Sequence, residues 1–287
     1  MGTLTLDGTP IALDPHPEVW ALCIGLIVGY VALVRRYGRL FHPRPGEQAV
    51  TRWQATSFAA GVVVLWVAAG SPLHELSEQY LFSAHMLQHL LEGFVFPALI
   101  LAGMPEWMFE LLTRPPKVRG AVRFLGKPLV GAAMFNGVML LIHWPDVVNA
   151  MVGNELFHSA SHWVWITASF AMWLPVLSPS EAIVPRLGPL PRLFYLFTQT
   201  LIPTIPSAFL TFGTEPLYAV YAAFPRIWLD PITDMQVAGL LMKIGGGMYL
   251  WVIIAVMYFR WAGDEERKAQ AERRDVAVSP AATGGTT

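Results

Sequence analysis

The chain is nearly devoid of cysteine and poor in charge. Cys23 is the single thiol among 287 residues, which excludes an internal disulfide framework and any Cys-x-x-Cys metal or redox motif. A transition metal held here has to rely on histidine, methionine or carboxylate. Asp, Glu, Lys and Arg make up only 14% of the chain, hydrophobic residues 54%, and mean hydropathy is +0.47. A water-soluble domain of this length does not show that balance, so the chain reads as an integral membrane protein. The first apolar run has no basic n-region ahead of it, so the amino terminus is not read as a cleaved signal peptide. No internal repeat is visible, and nothing marks a second domain.

What is present is a series of apolar segments: Val19 to Val34, Trp53 to Gly70, Tyr80 to Gly103, Pro128 to His143, Leu156 to Leu177, Leu193 to Phe212 and Met235 to Phe259. They predict an all-α, polytopic bundle of seven membrane-spanning helices occupying residues 1–262. Pro97, Pro175, Pro203 and Pro206 lie within these runs and predict kinks that free backbone carbonyls inside the bundle. The polar stretch 263–287 is expected to be a cytoplasmic tail, a frayed helix passing into disorder. Seventeen of the 19 Lys and Arg residues fall in the segments after the first, third, fifth and seventh runs. An odd number of crossings puts those four segments on one side, and the positive-inside rule makes that side cytoplasmic, with the amino terminus outside. Arg226 falls in an outer loop, and Lys243 inside the seventh run.

This orientation places seven of the eight histidines toward the outer side and leaves only His42 cytoplasmic. His85 and His89 lie four residues apart in the third run, and His158 and His162 four apart at the start of the fifth. Helical spacing puts each pair on one face, and the rise per residue lets the pairs meet at one depth. A lone intramembrane histidine commonly just ties one helix to another by a hydrogen bond. Two pairs at matching depth, with His143 and His74 also outside, favour a metal or cofactor site. Met86 stands where a His-Glu-x-x-His protease carries its general base, which disfavours proteolysis. Imidazoles with thioethers within reach (Met86, Met151, Met235) suit copper better than magnesium or calcium.

Glu92 and Lys243 are the acidic and basic residues deepest in the spans. Glu92 follows His85 by seven residues on the same face, and a Glu92–Lys243 ion pair docking the seventh span on the third is one expectation. The other makes Glu92 an acceptor for His89 or a metal ligand, with Lys243 unrelated. Cys23 reads as packing, as do Met242 and Gly245-Gly246-Gly247. The loop Thr214 to Tyr218, with Asp230 and Asp234, reads as a partner surface or interfacial cover.

These features resemble the seven-helix cytochrome c oxidase assembly factors of the CtaG type associated with caa(3)-type oxidases, and not the single-span copper chaperone that shares the name. The resemblance rests on His85-Met86-Leu87-Gln88-His89, on His143 with the Asn149 to His158 stretch leading into Phe170 to Leu177, on Thr211-Phe212 with Pro216-Leu217-Tyr218, and on Gln236 to Met242. It runs from Trp53 to Trp261. It implies a multi-pass protein of the bacterial plasma (inner) membrane needed to form an active oxidase by helping copper reach the oxidase's copper centres. His85 and His89 match the family's motif, whereas His158 and His162 enter the ligand set from spacing alone.

Two readings follow. The first is a non-enzymatic factor that holds copper through His85, His89, His158, His162, His143 and Met86 near the outer face and hands it on. Its partners would be oxidase subunits or a copper donor protein, and nucleic acid is not among them. The second is a haem-binding electron carrier with one axial histidine from each of two helices. A proton-coupled transporter using Glu92 and Lys243 lacks the repeats and matched broken helices such proteins show.

Overall fold

The computed structural model describes residues 2–6, 9–41, 48–225 and 227–278, with side chains from 14 to 274 within those ranges. His42, Arg44 and Arg226, to which the sequence assigned sides, lie outside it. The chain opens with a two-stranded antiparallel hairpin, β1 (Gly2–Leu6) and β2 (Thr9–Leu13), with Gly2 opposite Leu13. The hairpin was not expected, but it precedes a body that is all-helical as expected; the Thr-Leu alternation ahead of Asp7-Gly8 is a hairpin pattern that a search for apolar runs passes over.

The remainder is helical. In order come α1 (Pro17–Phe41), α2 (Arg52–Ala69), α3 (Pro72–Gln79), α4 (Phe82–Leu90), a π turn at Leu91–Val95, α5 (Phe96–Gly103), α6 (Glu106–Leu112) and α7 (Pro116–Leu125). There follow α8 (Pro128–Ile142), α9 (Pro145–Val152), α10 (Glu155–Leu177), α11 (Pro189–Thr198), α12 (Thr204–Phe212), α13 (Ala219–Ala222) and α14 (Pro231–Leu240). A second π turn at Leu241–Gly245 leads into α15 (Gly246–Val278). Every apolar segment of the sequence thus maps onto helix. Four stretches among the described residues are long and apolar enough to cross a membrane: Pro17–Phe41, Arg52–Gln79, Phe82–Gly103 and Pro231–Arg274. Pro116–Leu125 with Pro128–Ile142, bent by 76°, makes a fifth if taken as one span. The segment expected at Leu193 to Phe212 is broken into α11 and α12 ahead of Thr204, where Pro203 and Pro206 interrupt the hydrogen-bond ladder. Of the tail expected to be disordered, residues 263–278 continue α15, and residues 279–287 lie outside the described range.

The histidine-bearing stretch is the centre of the bundle. In the apolar window of Phe82–Gly103, 67% of residues are buried, against 11% for Pro17–Phe41. The main core packs Met86, Phe94, Phe135, Met139, Trp165, Met172, Trp173, Leu196 and Leu210 together. A smaller one joins α1 and α2 to α5 and α6 through Tyr30, Phe58, Val62, Ile100 and Trp107. Helix α8 approaches α10 at Gly131, where a Cβ would stand 2.4 Å from the Ala171 carbonyl oxygen. Pro175, four residues on, has no N–H to give that carbonyl, so a side chain is excluded where the freed oxygen meets the neighbouring helix.

Candidate metal centre

The first turn of α4 has no cap of its own. Leu81 precedes it, and the backbone N–H groups of Phe82 and Ser83 donate instead to the two carboxylate oxygens of Asp234 on α14, at 2.7 and 3.0 Å. A buried carboxylate at a helix amino terminus satisfies orphan donors and complements the helix dipole. One turn on, His85 and His89 stand with ring centroids 4.2 Å apart. The helix then widens into its π turn. Pro97 is the cause: its ring cannot donate to the carbonyl four residues back and clashes with it. That carbonyl belongs to Gly93 and accepts the Trp173 indole N–H at 3.3 Å. The Trp165 indole likewise donates to His89 O at 3.0 Å, and the Tyr249 hydroxyl to Phe94 O at 3.3 Å. Gly93 is obligatory here, because a Cβ would fall 2.4 Å from Trp165 Cζ2.

The turn presents Glu92 to α10. Asn154 caps that helix by accepting the Phe157 N–H at 3.0 Å, and the next turns carry His158 and His162. His162 Nδ1 lies 2.7 Å from Glu92 Oε2, and His158 Nδ1 3.0 Å from Glu78 Oε2 on α3. A carboxylate accepts only, so each Nδ1 carries a proton, which leaves the two Nε2 atoms to share a proton or a cation. The two Nε2 atoms face one another at 3.0 Å. That separation suits an N–H···N hydrogen bond if one ring carries a second proton, and it equally suits two nitrogens coordinating one cation. Imidazole–metal bonds of about 2.0–2.1 Å in a tetrahedral site put ligand nitrogens roughly 3.3 Å apart, close to what is observed. His85 completes a triad in which one ligand atom from each residue lies within 4.8 Å of the others. His85 Nδ1 is buried and finds no hydrogen-bond partner among the described residues, as expected of an imidazole kept for a ligand.

The six ligands expected from sequence therefore divide. His85, His158 and His162 come together. His89 stacks beside them, 5.3 Å from the His162 ring with its own Nδ1 unpartnered, but falls outside the triad. His143 spends its Nδ1 on Met139 O at 2.7 Å, and Met86 is in the core. These three line a separate cavity of about 30 Å³. Met235 sulfur accepts the Leu217 N–H at 3.2 Å.

The Glu92–Lys243 pair does not form. Glu92 is taken by His162, and the Lys243 ammonium meets the Thr204 hydroxyl on the exposed side of the second π turn. Glu92 accepts from His162 and not from His89 as expected. Asp230 and Asp234 are helix caps, the former accepting from Ile232 and Thr233 at 3.0 and 3.1 Å. Sequence reasoning missed Glu78 and Gln88. Gln88 accepts from the Ser77 hydroxyl at 2.6 Å, and its amide donates to His74 Nδ1 at 3.1 Å and to Glu92 Oε1 at 3.5 Å. The available signal for Glu78 was Ser71-Pro72, a cap followed by proline at the first helical position, which opens a short helix placing His74 and Glu78 one turn apart.

Comparison with protein families finds one described as cytochrome c oxidase caa3 assembly factor matching residues 28–264. Comparison with curated proteins and with solved structures gives no match.

Proposed function

Because the chain belongs to the cytochrome c oxidase caa3 assembly factor family, we propose that it serves oxidase assembly by holding a copper ion at His85, His158 and His162 and passing it to an oxidase subunit. The role is that of an assembly factor and not of a catalyst. The observation that carries the reading is the cluster of three ligand atoms within 4.8 Å of one another, with His85 Nδ1 buried and unpartnered among the described residues and both Nδ1 atoms of His158 and His162 held by carboxylates. Carboxylate partners on the far nitrogen orient a ligand imidazole and raise its basicity. Imidazole ligands suit copper, and a site short of a full ligand shell releases its ion readily.

The same reading takes the chain across a bacterial plasma membrane seven times, with the triad near the outer face. Hydrogen bonds support two opposite ends. At the basic end the Trp107 indole donates to Ala49 O at 2.8 Å, and Arg123 to Ala182 O at 3.1 Å. At the histidine end Tyr218 donates to His143 O at 2.9 Å, and Tyr221 to Ser77 O at 3.3 Å.

The haem alternative fares worse on geometry. A bis-histidine haem uses two nitrogens on opposite faces of one macrocycle, whereas His85, His158 and His162 offer three ligand atoms clustered within 4.8 Å of one another. The test is metal analysis and absorption spectroscopy of the purified protein exposed to copper. Stoichiometric copper without a Soret band, lost in His158→Ala and His162→Ala, is expected. A Soret band, or copper content indifferent to both substitutions, overturns the reading.

A further inference from the structure

The bundle holds a second set of metal-ligating groups that the triad does not use. Met86 and His89 lie three residues apart on α4, and Met139 and His143 four apart where α8 ends, spacings that put each thioether and its imidazole on one face. Met242, in the second π turn, is a third thioether. All five line the cavity of about 30 Å³ between α4, α8 and the start of α15. Each is more than nine-tenths buried, from 1% exposed at Met86 and Met139 to 8% at His143. The space is on the scale of a water molecule, room for a dehydrated ion and not for its hydration shell.

The groups around it are neutral and soft. His143 Nδ1 donates to Met139 O at 2.7 Å, which leaves the lone pair of the neutral ring on Nε2. His89 Nδ1 is buried without a hydrogen-bond partner among the described residues, a costly state for an imidazole nitrogen unless a ligand meets it. The carboxylates nearest the histidine cluster, Glu78 and Glu92, go to His158 and His162, and among the described residues none pairs with His89 or His143. Lys243 borders the cavity but gives its ammonium to the Thr204 hydroxyl. The His89 and His143 ring centroids stand 6.1 Å apart. Imidazole–metal bonds of ~2.0–2.1 Å let two rings share an ion at centroid separations up to roughly 6.5 Å, with a wide N–metal–N angle.

We propose that His89 and His143, together with thioether sulfur from Met86, Met139 or Met242, form a second metal site selective for copper(I). Thioethers favour the soft monovalent ion over zinc(II) or copper(II). A single positive charge also costs least to bury where no carboxylate offsets it. The triad differs in having a carboxylate behind each of two imidazoles. The ion enters and leaves as copper(I), so only coordination bonds are made and broken. The site stands on its own residues, and each of the two sites can be lost without the other.

The test loads the full-length protein anaerobically with buffered copper(I) and reads copper content and X-ray absorption. Labelling with selenomethionine leaves every other atom in place, and bound copper should then show a selenium neighbour beside its nitrogen neighbours. The folded double variant His158→Ala, His162→Ala should retain one copper equivalent with that selenium neighbour, and excess zinc(II) should not displace it. Replacing Met86, Met139 and Met242 together by leucine conserves volume and should weaken this equivalent by at least about tenfold. Copper with nitrogen neighbours alone in the labelled protein overturns the second site and leaves the triad standing. So does the absence of copper from the folded double variant, or full affinity in the triple leucine variant. A selenium-bound equivalent in a protein that loses no copper with His158 and His162 overturns the triad and leaves the second site. Unaltered protein that takes up no copper(I) overturns both.

Discussion

Glu78 and Glu92 each hold one Nδ1 of the histidine pair on α10, at 3.0 and 2.7 Å, and so decide which nitrogen of His158 and His162 faces the shared space. Replacing either by glutamine keeps a carbonyl acceptor but removes the charge that raises imidazole basicity. We expect Glu78→Gln and Glu92→Gln each to weaken copper binding by about 10–100-fold with the protein still folded, since partners of a ligand's far nitrogen act at that magnitude. Competition against a chelator of known affinity measures it, and unchanged affinity in both variants removes the carboxylates from the site. Lys243→Met should neither lower affinity nor rescue Glu92→Gln, because Lys243 bonds Thr204. The error over that pair shows what a sequence yields at this scale. Depth follows from a rise of about 1.5 Å per residue, and by depth Glu92 and Lys243 are level. Azimuth does not follow, because each residue sits in a π turn that rotates it away from an unbroken helix. The His-x-x-x-His pairs, one ahead of the first π turn and the other on α10, which has none, stayed legible.

The elements carrying the site are held from a distance in sequence. Helix α4 depends on Asp234, which lies 151 and 152 residues from the two N–H groups it accepts. Periodicity cannot see such a cap: the sequence shows Leu81 before the helix and an aspartate elsewhere that looks like loop decoration. Asp234→Ala leaves two buried N–H groups at the start of the histidine helix without a partner. With hydrogen bonds to charged groups contributing about 1.5–3 kcal/mol each, the loss should be on the order of 3 kcal/mol. The measurement is thermal unfolding in detergent, with Asp230→Ala as the comparison, since Asp230 caps only α14 from an exposed position. Equal effects of the two substitutions would mean that α4 does not need its remote cap. The π turn was half legible, as Pro97 announces a carbonyl that must be freed. Which donors would meet that carbonyl, Trp173 at Gly93 and Trp165 one turn earlier at His89, depends on tertiary packing that no local pattern encodes.

At the scale of the whole molecule, the issue is whether all seven apolar segments, unequal in length, cross one membrane as proposed. Helix α8 has 15 residues and α11 and α12 have 10 and 9, all short of the ~20 that a lone span needs. Irregular backbone at membrane depth is tolerated only where protein satisfies it, and the break between α11 and α12 meets that condition. Gln199 accepts from the Asn136 amide at 2.7 Å, and its own amide donates to Tyr195 O at 3.1 Å. The segment leaves the basic end at Pro189 and arrives beside the histidine end, where Val220 N–H donates to Asn149 Oδ1 at 3.4 Å. On the proposed seven-crossing reading each apolar segment joins opposite ends, with the basic segments at one of them. We expect compartment reporters inserted after Gly153 and after Glu215 to read outside, and one fused after Arg274 to read cytoplasm. The insertion after Glu215 is the discriminating one. If it reads cytoplasm while that after Gly153 reads outside, α11 and α12 form a re-entrant pair instead of a crossing, and the last helix cannot run from outside to inside. The triad would keep its geometry and, with Gly153 outside, its place at the outer end of α10; only the sixth crossing would be lost.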